Sequence, residues 1–449
     1  GDQTNAQLNS FNDSSWETVN VPHDYAISQA FDRSTSSAGG YLNQSTTGWY
    51  RKSFTLSSDL AGKKIMVTFD GVYNNSTLWI NGTLLGKNPS GNVSFQYDLT
   101  PFLKFGGAAN VLAVQVNPSS LDNNTHTWWY NGCGILRHVW LVVCNPVHFK
   151  KWGTFITTPV VSAKSSVNVR TEVVNESDVQ KQVTLLSEIA DRTGAIVNTA
   201  EISYMVPAHG EYKFDQTLVV ANAELWSIDK PVLYTMHSTL LAGKRIIDKD
   251  STVFGIRDIR FDANNGLFIN GESIRIKGVN MHNDLGCLGS AVSSQALYRR
   301  LKLLKSMGCN GIRACVYPHA PELLECCDRI GMIVLDDGIC HVDLDAANDA
   351  LHAQEVYDWI CRDRNHPSVI MWGLSNEDEK SIKDKRGTEA YKKRLAWGKA
   401  ADQSRPYTWA MNLSLTDPAV AATAALLDVQ GMNYAIGERA EKSHSTNPA

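Results

Sequence analysis

The chain has 449 residues, a formal net charge of −4, and 43% hydrophobic and 20% charged residues. At ~100–200 residues per domain this predicts roughly two to four domains, and the balance excludes a largely disordered chain and a general nucleic-acid binder. No apolar run reaches the ~20 residues that a membrane-spanning helix needs, and the start carries no signal-peptide pattern.

Residues 1–145 read as short strands between turns, with predicted strands at 64–69, 77–80, 110–116 and 138–143. Asn81-Gly82, directly after Leu78-Trp79-Ile80, is a strong hairpin signal. This segment is predicted to be an all-β, jelly-roll sandwich. Residues 146–258 alternate again, at 166–174, 182–188 and 212–219. About seven strands in roughly 110 residues suit an immunoglobulin-like sandwich.

From 259 the texture changes to strands alternating with helices. A β-branched run at 274–279 is read as a strand. Leu297, Leu301, Leu304 and Met307 then share one face of a helix over 293–307. A strand at 311–314 follows, then a helix at 321–330 with Pro321 first and Gly331 after its end, and a strand at 332–336. Further strands are predicted at 369–374, 407–411 and 427–432, with a long amphipathic helix before Arg362 and another helix at 388–401. Repeated βα units imply a parallel sheet and favour a TIM-type barrel over 259–449. About six of eight strands are accounted for. The expectation is a barrel incomplete in this stretch, its open edge covered by further chain or by self-association.

Sequons of the form N-x-[ST] occur at Asn12, Asn43, Asn74, Asn75, Asn81, Asn92, Asn123, Asn175 and Asn412. Their clustering predicts a secreted glycoprotein, carrying sugar on several of the last eight and on at most one of the adjacent Asn74 and Asn75. The nine cysteines include no C-x-x-C pair, so structural zinc is disfavoured and most are read as buried free thiols. Neither a metal nor a cofactor is called for.

In a barrel, chemistry gathers at the carboxyl ends of the strands. Here those ends carry His282 and Asp284, Arg313, Asp336-Asp337, Asn376-Glu377 and Asn433-Tyr434. Carboxylates on neighbouring strands suit general acid/base work on a polyhydroxylated substrate. Taken singly, each is as well explained as a cap or an ion-pair partner.

At this point the chain resembles glycoside hydrolase family 2, the β-galactosidases, β-glucuronidases and β-mannosidases. The resemblance rests on Val21-Pro22-His23-Asp24-Tyr25, Gly48-Trp49-Tyr50-Arg51, Phe69-Asp70-Gly71-Val72, Trp79-Ile80-Asn81-Gly82 and Trp129 through Val139. It continues through Leu225-Trp226, Phe254-Gly255-Ile256-Arg257, Phe268-Ile269-Asn270-Gly271 and Gly278-Val279-Asn280. It is most specific at Arg362-Asp363-Arg364-Asn365-His366-Pro367-Ser368, followed by Trp372 and Asn376-Glu377. The resemblance implies that Glu377 is the general acid/base and that Asn376 bonds the sugar 2-hydroxyl. It also implies that His282, Arg313, Asp337, Asn433 and Tyr434 line the sugar subsite. The family's nucleophile is a glutamate ending strand seven, expected shortly beyond residue 449; Glu438 and Glu441 are read as surface residues.

Three departures weigh against turnover. Cys315-Val316-Tyr317-Pro318 stands where the family carries Ser-His-Asn/Tyr-Pro. Asp336-Asp337-Gly338-Ile339-Cys340 replaces Asp-Glu-Ala, and the loop before Arg362 lacks the usual tryptophans. Two readings follow. One is a retaining exo-β-glycosidase, with β-galactosides first among its substrates. The other is a catalytically degenerate secreted glycoprotein that keeps the scaffold for carbohydrate binding or assembly. The retained Asn376-Glu377 pair favours the first.

Overall fold

Turn chemistry organises the N-terminal sandwich. Asn81 and Gly82 both adopt left-handed backbone, φ 51° and 83°, and close the two-residue hairpin between Ser76–Ile80 and Thr83–Asn88. The computed structural model describes residues 2–35, 37–118, 129–338, 344–414, 417–434, 441 and 445. Its contacts divide into two compact units, residues 1–146 with 282–297, and residues 147–281 with 298–449.

In the first unit a four-stranded antiparallel sheet runs Gly48–Thr55, Ala109–Val116, Ser76–Ile80, Thr83–Asn88. A three-stranded sheet runs Phe95–Asp98, Lys64–Phe69, Val139–Cys144. Alternate residues point inward, so Val67, Phe69, Leu78, Ile80, Leu112 and Val114 form one core.

The second unit begins with the predicted immunoglobulin-like sandwich. Val147–Val160, Lys164–Asn175 and Gly210–Ala221 form one sheet; Ile196–Val206, Lys181–Ala190, Tyr234–Ala242 and Arg245–Phe254 form the other. Val167, Val169, Ile189, Leu218, Met236 and Phe254 fill the space between them.

Six parallel strands follow in strict sequence order: Gly278–Met281, Gly311–Ala314, Ile333–Asp337, Val369–Asn376, Tyr407–Met411 and Gly431–Met432. Among the described residues this sheet is an open, incomplete barrel. The β-branched run at 274–279 is not one strand. Ile274 ends the short antiparallel strand Glu272–Ile274, and the parallel strand starts at Gly278.

The Arg362–Ser368 motif ties the sandwich to the amino ends of these strands. Asn365 Oδ1 accepts from Ile156 N at 2.9 Å, and Asn365 Nδ2 donates to Thr154 O at 2.8 Å. Arg257 donates to Pro367 O and Val369 O, and Trp226 Nε1 donates to Asp328 O at 2.9 Å. His366 Nδ1 lies 2.5 Å from Asp328 Oδ2. Burial alone would lower the imidazole pKa, but the Asp328 carboxylate raises it on balance.

The described cysteines are free thiols, and Cys133, Cys315, Cys326, Cys327 and Cys361 are buried. Asn123, Ile339, Cys340 and Glu438 lie outside the described residues. At Asn175, one of the expected sugar sites, the side chain is fully buried, and Nδ2 donates to Val179 O, Val206 O and Pro207 O at 2.9, 3.2 and 2.9 Å. An amide so committed offers no nitrogen to a glycan. Asn74 is likewise buried. The amides of Asn75, Asn81 and Asn412 donate to Asn117 O, to Phe102 O and Asn110 Oδ1, and to Glu379 Oε1. Asn92 Oδ1 accepts from Asn283, and Asn43 Oδ1 accepts from Ser45.

Candidate active site

The fourth barrel strand, Val369–Asn376, is buried almost throughout, which fixes what its end presents. Trp372 Nε1 donates to Asp402 at 2.9 Å, and Arg394 donates to Leu374 O at 2.9 Å. Asn376 is the last strand residue, and Glu377 leaves it with φ 45°. A non-glycine residue in left-handed backbone is strained and persists only where its surroundings hold it. Glu377 N donates to Ala410 O at 2.8 Å, which pins the turn to the fifth strand.

Three neighbouring strand ends meet around Arg313. Its guanidinium lies 2.5 Å from Asp337 Oδ2 on the third strand and donates to Asn376 Oδ1 on the fourth at 2.7 Å. Arg313 Nε is buried and finds no acceptor among the described residues. Burial raises the Asp337 pKa to about 6, although Arg313 opposes the shift. Asp337 approaches so closely that a Cβ on Gly373 would overlap Asp337 Oδ1, so only glycine fits there.

Asp336, adjacent in sequence, does different work. It faces the helix Asp349–Asp363, where Trp359 Nε1 donates to it at 2.9 Å. Burial first, and then the neighbouring Asp363, hold it well above the carboxylate range. The strand's alternation thus separates a scaffold acid from a rim acid.

Glu377 makes no ion pair among the described residues. Asn433, following the sixth strand, donates Nδ2 to Glu377 Oε1 at 2.5 Å. The exposed Tyr434 also faces this carboxylate, whose hydrogen bond and charge raise the phenol's pKa. Arg313, Asp337, Asn376, Glu377, Asn433 and Tyr434 therefore come together as one rim. His319, the nearest imidazole after Val316, is buried with Nε2 3.2 Å from Cys315 O.

His282 belongs to the first unit, where its ring stacks on Trp129 with centroids 5.0 Å apart and planes at 27°. Trp129 was given no role of its own by sequence reasoning; its place at the head of the Trp129–Val139 motif was the available signal. No group of three His, Cys, Asp or Glu side chains able to hold a metal ion exists among the described residues. A shallow depression of about 790 Å³ on the immunoglobulin-like sandwich is lined by Arg192, Glu224 and Lys230, none of them a rim residue.

Sequence models of three successive domains match nearly the whole chain. "Glycosyl hydrolases family 2, sugar binding domain" covers 13–145, "Glycosyl hydrolases family 2" covers 147–257, and "Glycosyl hydrolases family 2, TIM barrel domain" covers 262–445. The chain belongs to glycosyl hydrolases family 2.

Among its family 2 relatives is the beta-galactosidase BoGH2A of Bacteroides ovatus, 43% identical over 387 residues, 84% of this chain and 45% of that protein. A beta-glucuronidase of Formosa agariphila is 31% identical over 426 residues, 88% of this chain and 43% of that protein. The crystal structure of a family 2 member from Bacteroides cellulosilyticus superposes with a TM-score of 0.93 at 35% identity, over 100% of this chain and 59% of that one. A Bacteroides uniformis beta-glucuronidase 2, covalently bound to cyclophellitol-6-carboxylate aziridine, superposes with a TM-score of 0.86 at 27% identity, over 100% of this chain and 56% of that one. The chain thus spans about half the length of the relatives it matches.

Proposed function

We propose that this chain carries the acid/base side of a retaining β-glycosidase site acting on terminal β-linked sugars. The observation that carries the reading is Glu377: a left-handed carboxylate at a barrel-strand end, held by the neutral Asn433 rather than by a cation. A carboxyl that is not committed to an ion pair is available for general acid/base work on a bound substrate. Glu377 would protonate the glycosidic oxygen as the bond breaks, and later take a proton from the attacking water.

Asn376 is oriented for the sugar. Its Oδ1 is engaged by Arg313, so its Nδ2 hydrogens remain to bond the 2-hydroxyl, an interaction that strengthens in the transition state. Asp337 meets the same guanidinium nitrogen, Nη2, that bonds Asn376, and the unsatisfied Arg313 Nε is a donor suited to a polar ligand. The resemblance adds His282 to the sugar subsite. Retention requires a second carboxylate ~5–5.5 Å from the first, and no described residue is assigned to it. The relative held covalently by its aziridine ligand suits such a nucleophile. β-Galactosides rank first because a relative named as a beta-galactosidase is 43% identical, against 31% for the beta-glucuronidase. Secretion belongs to the same reading. It rests on sequons such as the exposed Asn12, and intact-mass measurement before and after deglycosylation tests it.

The test of function is turnover of chromogenic β-galactosides and β-glucuronides by the whole protein and by its Glu377→Gln variant. Turnover by the parent and loss in the variant supports the reading. No turnover by the parent favours the degenerate, carbohydrate-binding alternative, which the commitment of Asp337 to Arg313 and the apolar, buried Val316 would explain.

A further inference from the structure

Asp24 is 2% exposed, yet among the described residues no basic side chain forms an ion pair with it. Its carboxylate is surrounded by donors. Oδ1 accepts from Ala26 N at 3.1 Å and Cys133 N at 3.0 Å. Oδ2 accepts from the Tyr130 hydroxyl at 2.8 Å and from Ser290 N at 3.0 Å. These four bonds join three separate pieces of chain: the turn after Asp24, the segment 130–133, and the loop after the first barrel strand. A buried carboxylate is costly unless so satisfied.

Two glycines show how tightly this centre is built. Gly132 and Gly289 have φ +79° and +58°, and a Cβ on either would overlap Asp24 Oδ2. The two segments that converge on Asp24 also carry the aromatic pair, Trp129 just before Tyr130 and His282 at the head of the 282–290 loop. A second tie, Asn283 Nδ2 to Asn92 Oδ1 at 3.2 Å, holds that head.

We infer that Asp24 is a positioning residue: by bonding Ser290 N and the 130–133 segment together, it sets the register of His282 against Trp129. This rests on the glycosidase reading for its kinetic consequence, but not for its structural one. Asp24→Asn is nearly isosteric and presents an NH₂ where one oxygen accepted, so at least one backbone N–H loses its acceptor.

The experiment compares Asp24→Asn, Gly289→Ala and Tyr130→Phe in the whole protein, by peptide-resolved amide exchange over 285–292 and by steady-state kinetics below the melting temperature. Asp24→Asn and Gly289→Ala should speed exchange in that segment and raise KM about ten-fold, with kcat changed less than about two-fold. Tyr130→Phe, which leaves the Ser290 bond in place, should do neither. A merely stabilising Asp24 would lower the melting temperature without moving KM, and that result overturns the inference. Unchanged exchange in both Asp24→Asn and Gly289→Ala also overturns it. If Asp24→Asn fails to fold, Gly289→Ala decides alone. A parent protein without turnover would sink the glycosidase reading, while the exchange data would still judge the positioning role.

Discussion

The two ends of the parallel sheet handle charge in opposite ways. At the amino ends, Asp328, Asp402 and Arg257 are closed off by fixed partners, although Arg364 Nε and the Ser368 hydroxyl there are buried without one among the described residues. Asp328 takes both His366 and Ser368 N, Asp402 takes Trp372 and Arg405, and Arg257 ends on two backbone carbonyls. At the carboxyl ends, Arg313 keeps a buried Nε without an acceptor, and Glu377 has a strained backbone and no cation. A folded protein tolerates incomplete pairing where a ligand will complete it. The named amino-end pairings thus serve stability, beside the most specific family motif, Arg362–Ser368, while the proposed chemistry falls at the carboxyl ends.

Substitutions at each end should separate the two. Glu377→Gln should cost on the order of 10²–10⁴ in rate on a β-glycoside and leave the melting temperature nearly unchanged. Asp328→Ala should do the reverse. It leaves the buried His366 ring and Ser368 N without their acceptor, at a cost of about 1–3 kcal/mol in denaturant unfolding, with kcat/KM preserved below the transition. If both variants lose activity without loss of stability, the contrast fails.

A pH titration of stability sharpens the contrast. The Asp337 pKa is raised to about 6, so the folded state keeps a proton that the unfolded chain releases near 3.8. Stability from this group is present at low pH and is lost as pH rises through that window, by up to about 3 kcal/mol. Asp337→Asn should flatten the unfolding free energy between about pH 4 and 6. A slope unchanged in the variant would show that Asp337 is not its source.

A smaller effect tests the buried sequon. Asn175→Ala should cost about 1–3 kcal/mol by stranding carbonyl groups, and peptide mass spectrometry should find no carbohydrate at Asn175 in folded protein. Occupancy there would mean that the strand Lys164–Asn175 is not packed as described.

Much of this was legible in sequence, for identifiable reasons. Gly311–Ala314, Pro321–Ile330 and Tyr407–Met411 are bounded by glycine, proline or polar breaks, and their limits coincide with the structure. The run at 274–279 misled because β-branched residues fit both a hairpin strand and a barrel strand, and only pairing register tells them apart. Asn376-Glu377 was readable as a motif. That Asn433 would bond Glu377 across 56 residues was not, since it depends on how the sheet curls. The resemblance singled out Asp337 of the Asp336-Asp337 pair, and the strand's alternation sets the two on opposite faces. A sequon states a triplet and nothing of burial, so the buried side chain of Asn175 was not legible in the sequence.

The strict order of the parallel strands bears on how the rim comes into being during synthesis. Each strand pairs with the one made just before it, so the sheet can grow as the chain leaves the ribosome, at ~5–20 residues per second. Arg313 emerges first, Asp337 next, then Asn376 and Glu377, and Asn433 last. The guanidinium can thus meet its countercharge on the third strand before Glu377 has been translated. Glu377 enters a neighbourhood where the strongest competing cation is already taken.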